Sequence, residues 1–182
     1  LGTGVDISEV KRIRDEFIDW QIRTELGVME EWSARHDALS QIEVVFMEPT
    51  DTGLSSLMSD FWNSWQELSK NPESSPVRTT VKETAVALAE ALRYSYDRLE
   101  AIEDGLNTKT EMVVNDANSI LEQLERLNNQ IKVIRVAGDN PNDLMDERDL
   151  LLDRLSELMD IKVEPVFAGT DSKRATGEIR VL

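Results

Sequence analysis

A single histidine and no cysteine leave this chain few ways to do chemistry. His36 has no second histidine with which to share a metal and no thiol to activate. It sits between Trp32 and Leu39 at helical spacing, which reads as an ordinary, partly buried helix position. The densest ionisable run is Asp143, Asp146, Glu147, Asp149 and Asp153. On a helix Asp146, Asp149 and Asp153 share a face, and carboxylates that close could hold Ca²⁺ or Mg²⁺. Helical spacing offers no loop carbonyls, however, and no Asp-x-Asp-x-Asp-Gly pattern, so the run reads as a solvated face paired locally with Arg148 and Arg154. Gly2-x-Gly4 lacks the preceding strand, the third glycine and the Lys-Ser or Lys-Thr of a phosphate cradle. Ser55 and Ser56 have no visible base. No catalytic, cofactor or metal residue is assigned, and the expectation is a chain that is not an enzyme.

Composition narrows the partners. The 182 residues carry 36 acidic against 20 basic side chains, a formal net charge of −16. Such a surface repels nucleic-acid phosphates and anionic membranes, so neither is an expected partner. Hydrophobic residues make up 40% of the chain, enough to build a core, so the charge reads as a solvated exterior rather than disorder. No apolar run approaches the eighteen or so residues of a membrane span, and no signal-peptide pattern is present. The chain begins at Leu1 instead of Met and reads as a fragment.

The elements that would carry these residues follow from periodicity. Between Ser75 and Ala137 apolar or small residues recur at Val81, Ala85, Leu88, Leu92, Ser95, Leu99, Ile102 and Leu106, in alternating steps of four and three. Lys109 breaks this seam, and a fresh one opens at Val113 and runs through Ala117, Ile120, Leu124, Leu127, Ile131 and Ile134. A phase slip near Gly105 therefore predicts a bend or a change of partner helix. Upstream, Ile18, Ile22, Leu26, Met29, Trp32, His36, Leu39, Ile42 and Phe46 mark a second long helix that ends before Pro49. A shorter helix capped by Asp51 or Thr52 has the face Leu54, Met58, Phe61, Trp65 and Leu68, widened by Leu57 and Trp62; Phe61, Trp62 and Trp65 are expected to seal the junction between the long helices, with a partner-binding face as the alternative.

Gly138 ends the central helix, and Asn140 caps a fourth with Pro141 at its first position and Leu144, Arg148, Leu151, Leu155 and Leu158 facing inward. Ile161 to Phe167 and Ile179 to Leu182 read as a hairpin around a polar turn from Gly169 to Gly177. The fold class is mainly α: a long-helix antiparallel bundle, with a small β-hairpin leading to a mostly β projecting domain. The expected divisions are an extended lead-in over 1–13, a helical rod over 14–160 (helices at about 14–47, 53–70, 76–137 and 141–159) and the hairpin over 161–182.

Several of these stretches together are similar to one family. Asn142-Asp143-Leu144-Met145-Asp146-Glu147-Arg148-Asp149, followed by Leu151, Leu155 and Ile161-Lys162-Val163, resembles the Asn-Asp-Leu-Leu-Asp-x-Arg-Asp segment of FlgK-type flagellar hook-associated proteins. Phe61 to Leu68, Asn71-Pro72-Glu73 and Pro76-x-Arg78 resemble that family's short helix and turn, and Gly4-Val5-Asp6-Ile7 with Arg12 and Asp15-x-Phe17 its lead into the rod domain. The resemblance implies a structural protein of the bacterial flagellum. It would be exported through the flagellar type III apparatus and would polymerise outside the cell as a ring of copies between the hook protein and a second junction protein. In that light Asn142, Asp143, Leu144, Asp146, Arg148 and Asp149 form a helix start with an inward Arg148 that fixes the helix against its neighbours, and no cofactor is implied. The family's terminal helices are not visible here, nor is the C-terminal return into its rod. Another flagellar axial protein, or an acidic cytoplasmic coiled-coil scaffold, is the alternative.

Overall fold

The structure, a computed structural model, describes residues 12–46, 53–167 and 175–182. Its elements are α1 (Glu16–Phe46), α2 (Leu54–Lys70), α3 (Ser75–Ala137), α4 (Asn142–Leu158), β1 (Val163–Phe167) and β2 (Ala175–Val181). The described chain is mainly helical, with one antiparallel two-stranded sheet. The expected lead-in strand and the expected caps Asp51 and Thr52 lie outside the described residues; α2 starts after Gly53, with no side-chain cap bond. The chain divides into two compact units: Leu1–Trp32 with Met112–Leu182, and Ser33–Glu111.

The first unit is built around the turn between α3 and α4. Gly138 takes φ +102°, and two backbone bonds close the helix end: Gly138 N–H to the Arg135 carbonyl and Asp139 N–H to the Ile134 carbonyl, both at 3.2 Å. This is the Schellman arrangement that a glycine past the last turn permits. Its shortness folds α4 back along α3. Ala117, Leu124 and Leu127 of α3 then meet Leu151, Leu152 and Leu155 of α4, with Ile161 below them. The hairpin, expected to open a separate domain, contributes Val163, Ile179 and Val181 to this same core. β2 also begins at Ala175, earlier than the apolar run suggests, because Thr176 and Gly177 are part of the strand. α4 starts one residue later than expected: Pro141 occupies the cap position and makes no side-chain cap bond.

The second unit joins α2 to α3. Here the inward stripe runs Leu54, Leu57, Phe61, Ser64 and Leu68, rotated from the expected Met58 and Trp65. Ser64 is buried, and its hydroxyl lies 2.7 Å from the Phe61 carbonyl and 3.0 Å from Thr84 Oγ1. A small hydroxyl residue lets two helices approach where an indole would hold them apart. Trp62 and Trp65 consequently face outward, 64% and 48% exposed, and do not seal a junction.

The α3 seams face inward at Val81, Ala85, Leu88, Ser95, Leu99 and Ile102, and again from Val113 through Ile134; Leu92 and Leu106 are exposed. Between them residues 103–112 are all exposed, yet the helix is unbroken, and α3 passes from one unit to the other at Glu111 and Met112. The seam slip thus marks a lapse in packing within a continuous helix. For α1 the apolar stripe misleads: Ile18, Ile22, Met29, Trp32 and Leu39 are exposed, while Asp19, Arg23, Leu26, Gly27 and Glu30 form the more buried face of its first half. The cause is in the partner. A Cβ on Gly27 would sit 3.1 Å from the Ser156 carbonyl, so α1 approaches α4 backbone-close along a polar face.

Leu155 is fully buried, and Leu155→Ala should lower stability to urea unfolding by about 2–5 kcal/mol. Gly105 lies in a helix interior, and a Cβ added to it would meet nothing within 4 Å, so Gly105→Ala should raise stability by about 0.5–1 kcal/mol in the same measurement. A loss at Gly105 would mean that its surroundings are not open.

Candidate functional site

The residues singled out by pattern converge on α4, but their partners come from far along the chain. Asp15, just ahead of α1, accepts the backbone N–H groups of Phe17 and Ile18 at 3.0 and 3.3 Å, a side-chain cap that fixes the start of the helix. That start places Arg12 and Arg14 before the helix and Arg23 two turns into it. Arg12 pairs with Asp149 and lies 2.7 Å from Asp146. Arg14 holds Asp19 at 2.5 Å and reaches Asp149 at 3.4 Å and Asp153 at 3.7 Å. Arg23 lies 2.8 Å from Asp153 and 3.6 Å from Asp149. Asp146, Asp149 and Asp153 do share a face, as their spacing requires, but it is not a solvated face paired with Arg148 and Arg154. It is the docking face for the start of α1, and Arg23 and Asp149 are each only 8% exposed.

Arg148 turns the other way. Its Nη1 donates to the Gly177 carbonyl at 2.7 Å and to Asn128 Oδ1 at 3.3 Å. Asn128 in turn donates from Nδ2 to the Ile179 carbonyl at 3.0 Å and accepts from the Ile179 N–H at 3.3 Å, so an α3 side chain pairs with β2 as a neighbouring strand would. Burial first, and then the charges of Arg12, Arg135 and Arg23, push Arg148 down to about 10, which leaves it charged at neutral pH. One guanidinium therefore ties together α3, α4 and β2. Of the remaining motif residues, Asn142 begins α4, Asp143 is exposed in its first turn, where a carboxylate suits the helix dipole, and Leu144 packs against the core.

Gly177, Asn128, Arg14 and Arg23 carry this arrangement without having stood out in the sequence. Gly177 has φ +88°, and a Cβ there would fall 2.9 Å from Arg135 Cγ and 3.2 Å from Ile131 Cγ2. The available signal was an asparagine beside the seam, next to Leu127, and a polar stripe of Asp19, Arg23 and Gly27 at steps of four. His36 is exposed. Among the described residues no group of three or more His, Asp or Glu is placed to hold a metal ion, and no helix is long and apolar enough to cross a membrane.

A known family pattern covers α4 and Asn128 but not Arg12, Arg14 and Arg23: the helical domain of the flagellar hook-associated protein FlgK matches residues 39–178. The chain belongs to the FlgK family. Flagellar hook-associated protein 1 of Bacillus subtilis is 42% identical over 185 aligned positions, covering 100% of this chain and 36% of that protein. The proteins of the same name from Escherichia coli and Salmonella typhimurium are each 28% identical over 93% of this chain and 31% of their own length. The chain thus spans about a third of the length of the curated relatives it matches.

In this FlgK helical domain the tightest packing constraint at the site is Gly177. Gly177→Ala should cost about 1–3 kcal/mol in urea unfolding, from strained backbone together with displacement of Arg135 and Ile131. A stability equal to the parent's would show that the hairpin does not need the left-handed residue.

Proposed function

We propose that this chain is the helical rod part of a structural junction protein that connects hook and filament of the bacterial flagellum and is needed for filament assembly. Membership of the FlgK family carries the reading, supported by a relative named flagellar hook-associated protein 1 that aligns across the whole of this chain. Its partners on this reading are further copies of itself in a ring, the hook protein and a second junction protein. Nucleic acid and membrane are not among them. The protein works outside the cell after passage through the flagellar export apparatus.

The mechanism is mechanical. Helices packed through the α3 seams and α4 resist bending. The network around Asp149 and Arg148 fixes where the chain leading into α1 and the hairpin leave the rod. Asn142, Asp143, Leu144, Asp146, Arg148 and Asp149 are thus assembly residues in an indirect sense: they set the geometry from which neighbouring parts project. Exposed apolar side chains, among them Ile22, Met29, Trp62 and Tyr96, offer the kind of surface that subunit contacts bury.

The test is complementation of a strain lacking the intact parent gene with that gene or with a version deleted from Asn140 to Asp160. The deletion should leave hooks built, filaments absent and flagellin shed into the medium. Normal filaments in the strain lacking the gene would contradict the junction role. A His36→Ala version should restore motility fully, since that side chain is exposed and outside the network.

A further inference from the structure

The α2 helix turns two indoles to the outside. Trp62 and Trp65 are exposed, Met58 joins them at helical spacing, and Phe61 contacts both, with ring centroids 5.5 and 6.2 Å away. This flank of α2 carries no charge. At about 100° per residue Ser55 and Ser69 fall beside the tryptophans, whereas Asp60 and Glu67 fall on the other flank, where Glu67 pairs with Lys70 at 3.2 Å. In a chain of which 31% is charged, such a stretch can be covered without stranding a carboxylate.

The same compact unit carries a second face of different chemistry. Thr84 of α3 meets Ser64 of α2 at 3.0 Å. Arg93 lies about two and a half turns further along α3, which puts it on the side away from α2. Val86, Ala89 and Tyr96 share that side at steps of three and four, and all four residues are exposed. Among the described residues Arg93 makes no ion pair.

We propose that these two faces meet between copies, the Met58, Trp62 and Trp65 face of one copy packing on Val86, Ala89, Arg93 and Tyr96 of a second copy of this chain. The chemistry is complementary: a guanidinium stacks over an indole, and Ala89 leaves room for the ring. Charge selects the partner. At a net charge of −16 copies repel over most of their surface, and the contact that escapes this joins an uncharged face to an unpaired cation. A basic partner would favour the carboxylate-rich faces instead. Two unlike faces on different helices join copies head to tail, as a ring requires, so the inference names the self-contact of the junction reading and to that extent rests on it. These few side chains fall well short of the roughly 800 Å² per partner of a stable complex, so free copies bind weakly and arrayed copies gain from proximity.

The four indole N–H signals of the labelled 182-residue chain read this in solution, with no flagellum present, so failure of the junction role would leave the result standing. Trp62 and Trp65 should shift as the chain is concentrated to about 1 mM, more strongly at about 0.5 M salt, which screens the repulsion, while Trp20 and Trp32 stay in place. A Trp62→Ser, Trp65→Ser chain and an Arg93→Glu chain, altered only at exposed positions, should each keep the parent's thermal midpoint and not self-associate. Mixed, they should bind, because each retains the face that the other lacks. No concentration dependence in the parent would overturn the proposal without recourse to any variant. So would shifts at Trp20 and Trp32 in place of Trp62 and Trp65, association weakened by salt, or parent-like self-association of Arg93→Glu, which would mean that like faces pair.

Discussion

Asp149 is the point on which the described arrangement of the first unit depends. It is nearly buried, and Arg12, Arg14 and Arg23 approach its carboxylate from the segment leading into α1 and from α1 itself. One residue earlier, Arg148 reaches in another direction to Asn128 and Gly177. Two adjacent residues of one helix thereby hold α1 on one side and α3 with the hairpin on the other. Buried ion pairs contribute little net stability, because desolvation offsets most of their attraction, but removing one member leaves a stranded charge. Their effect is to specify geometry. Leucine contacts between α3 and α4 would tolerate sliding; an arginine that must find both a carbonyl and an asparagine oxygen would not.

This division of labour explains what the sequence revealed. The seams of α3 were legible because Leu124, Leu127 and Ile131 are buried for the ordinary reason of apolar transfer, and heptad spacing reports that directly. The inner face of α4 was legible for the same reason. The face of α1 was not, because its first half docks through Arg23 and Gly27 instead of its apolar stripe, and periodicity cannot see a polar interface. The same limit applies to α2, where Ser64 rather than Trp65 lies at the contact, chosen for size and a hydroxyl bond to Thr84. The carboxylates at Asp146, Asp149 and Asp153 were placed on one face correctly. Their partners are more than a hundred residues distant, beyond any local spacing argument.

A structural role is consistent with these choices. The apolar side chains that α1 and α2 leave exposed are costly for an isolated protein and ordinary for one whose surface is covered by neighbours. Meanwhile the acidic exterior keeps separate copies soluble. Placing the specific contacts at α4, next to the hairpin and to the start of α1, fixes the geometry where the chain leaves the helices. Residues 103–112 of α3 are exposed helix among the described residues.

If Asp149 couples the start of α1 to α4, and Arg148 extends that coupling to the hairpin, the three elements should open as one. Native-state hydrogen exchange on the parent chain and on Asp149→Asn reads this residue by residue. Amides of Asp19 to Leu26, of α4 and of β2 should lose protection together in the variant, while those of α2 keep theirs. Loss confined to α4 alone, or no loss at all, would show that the ion pairs decorate a geometry already set by the leucine core.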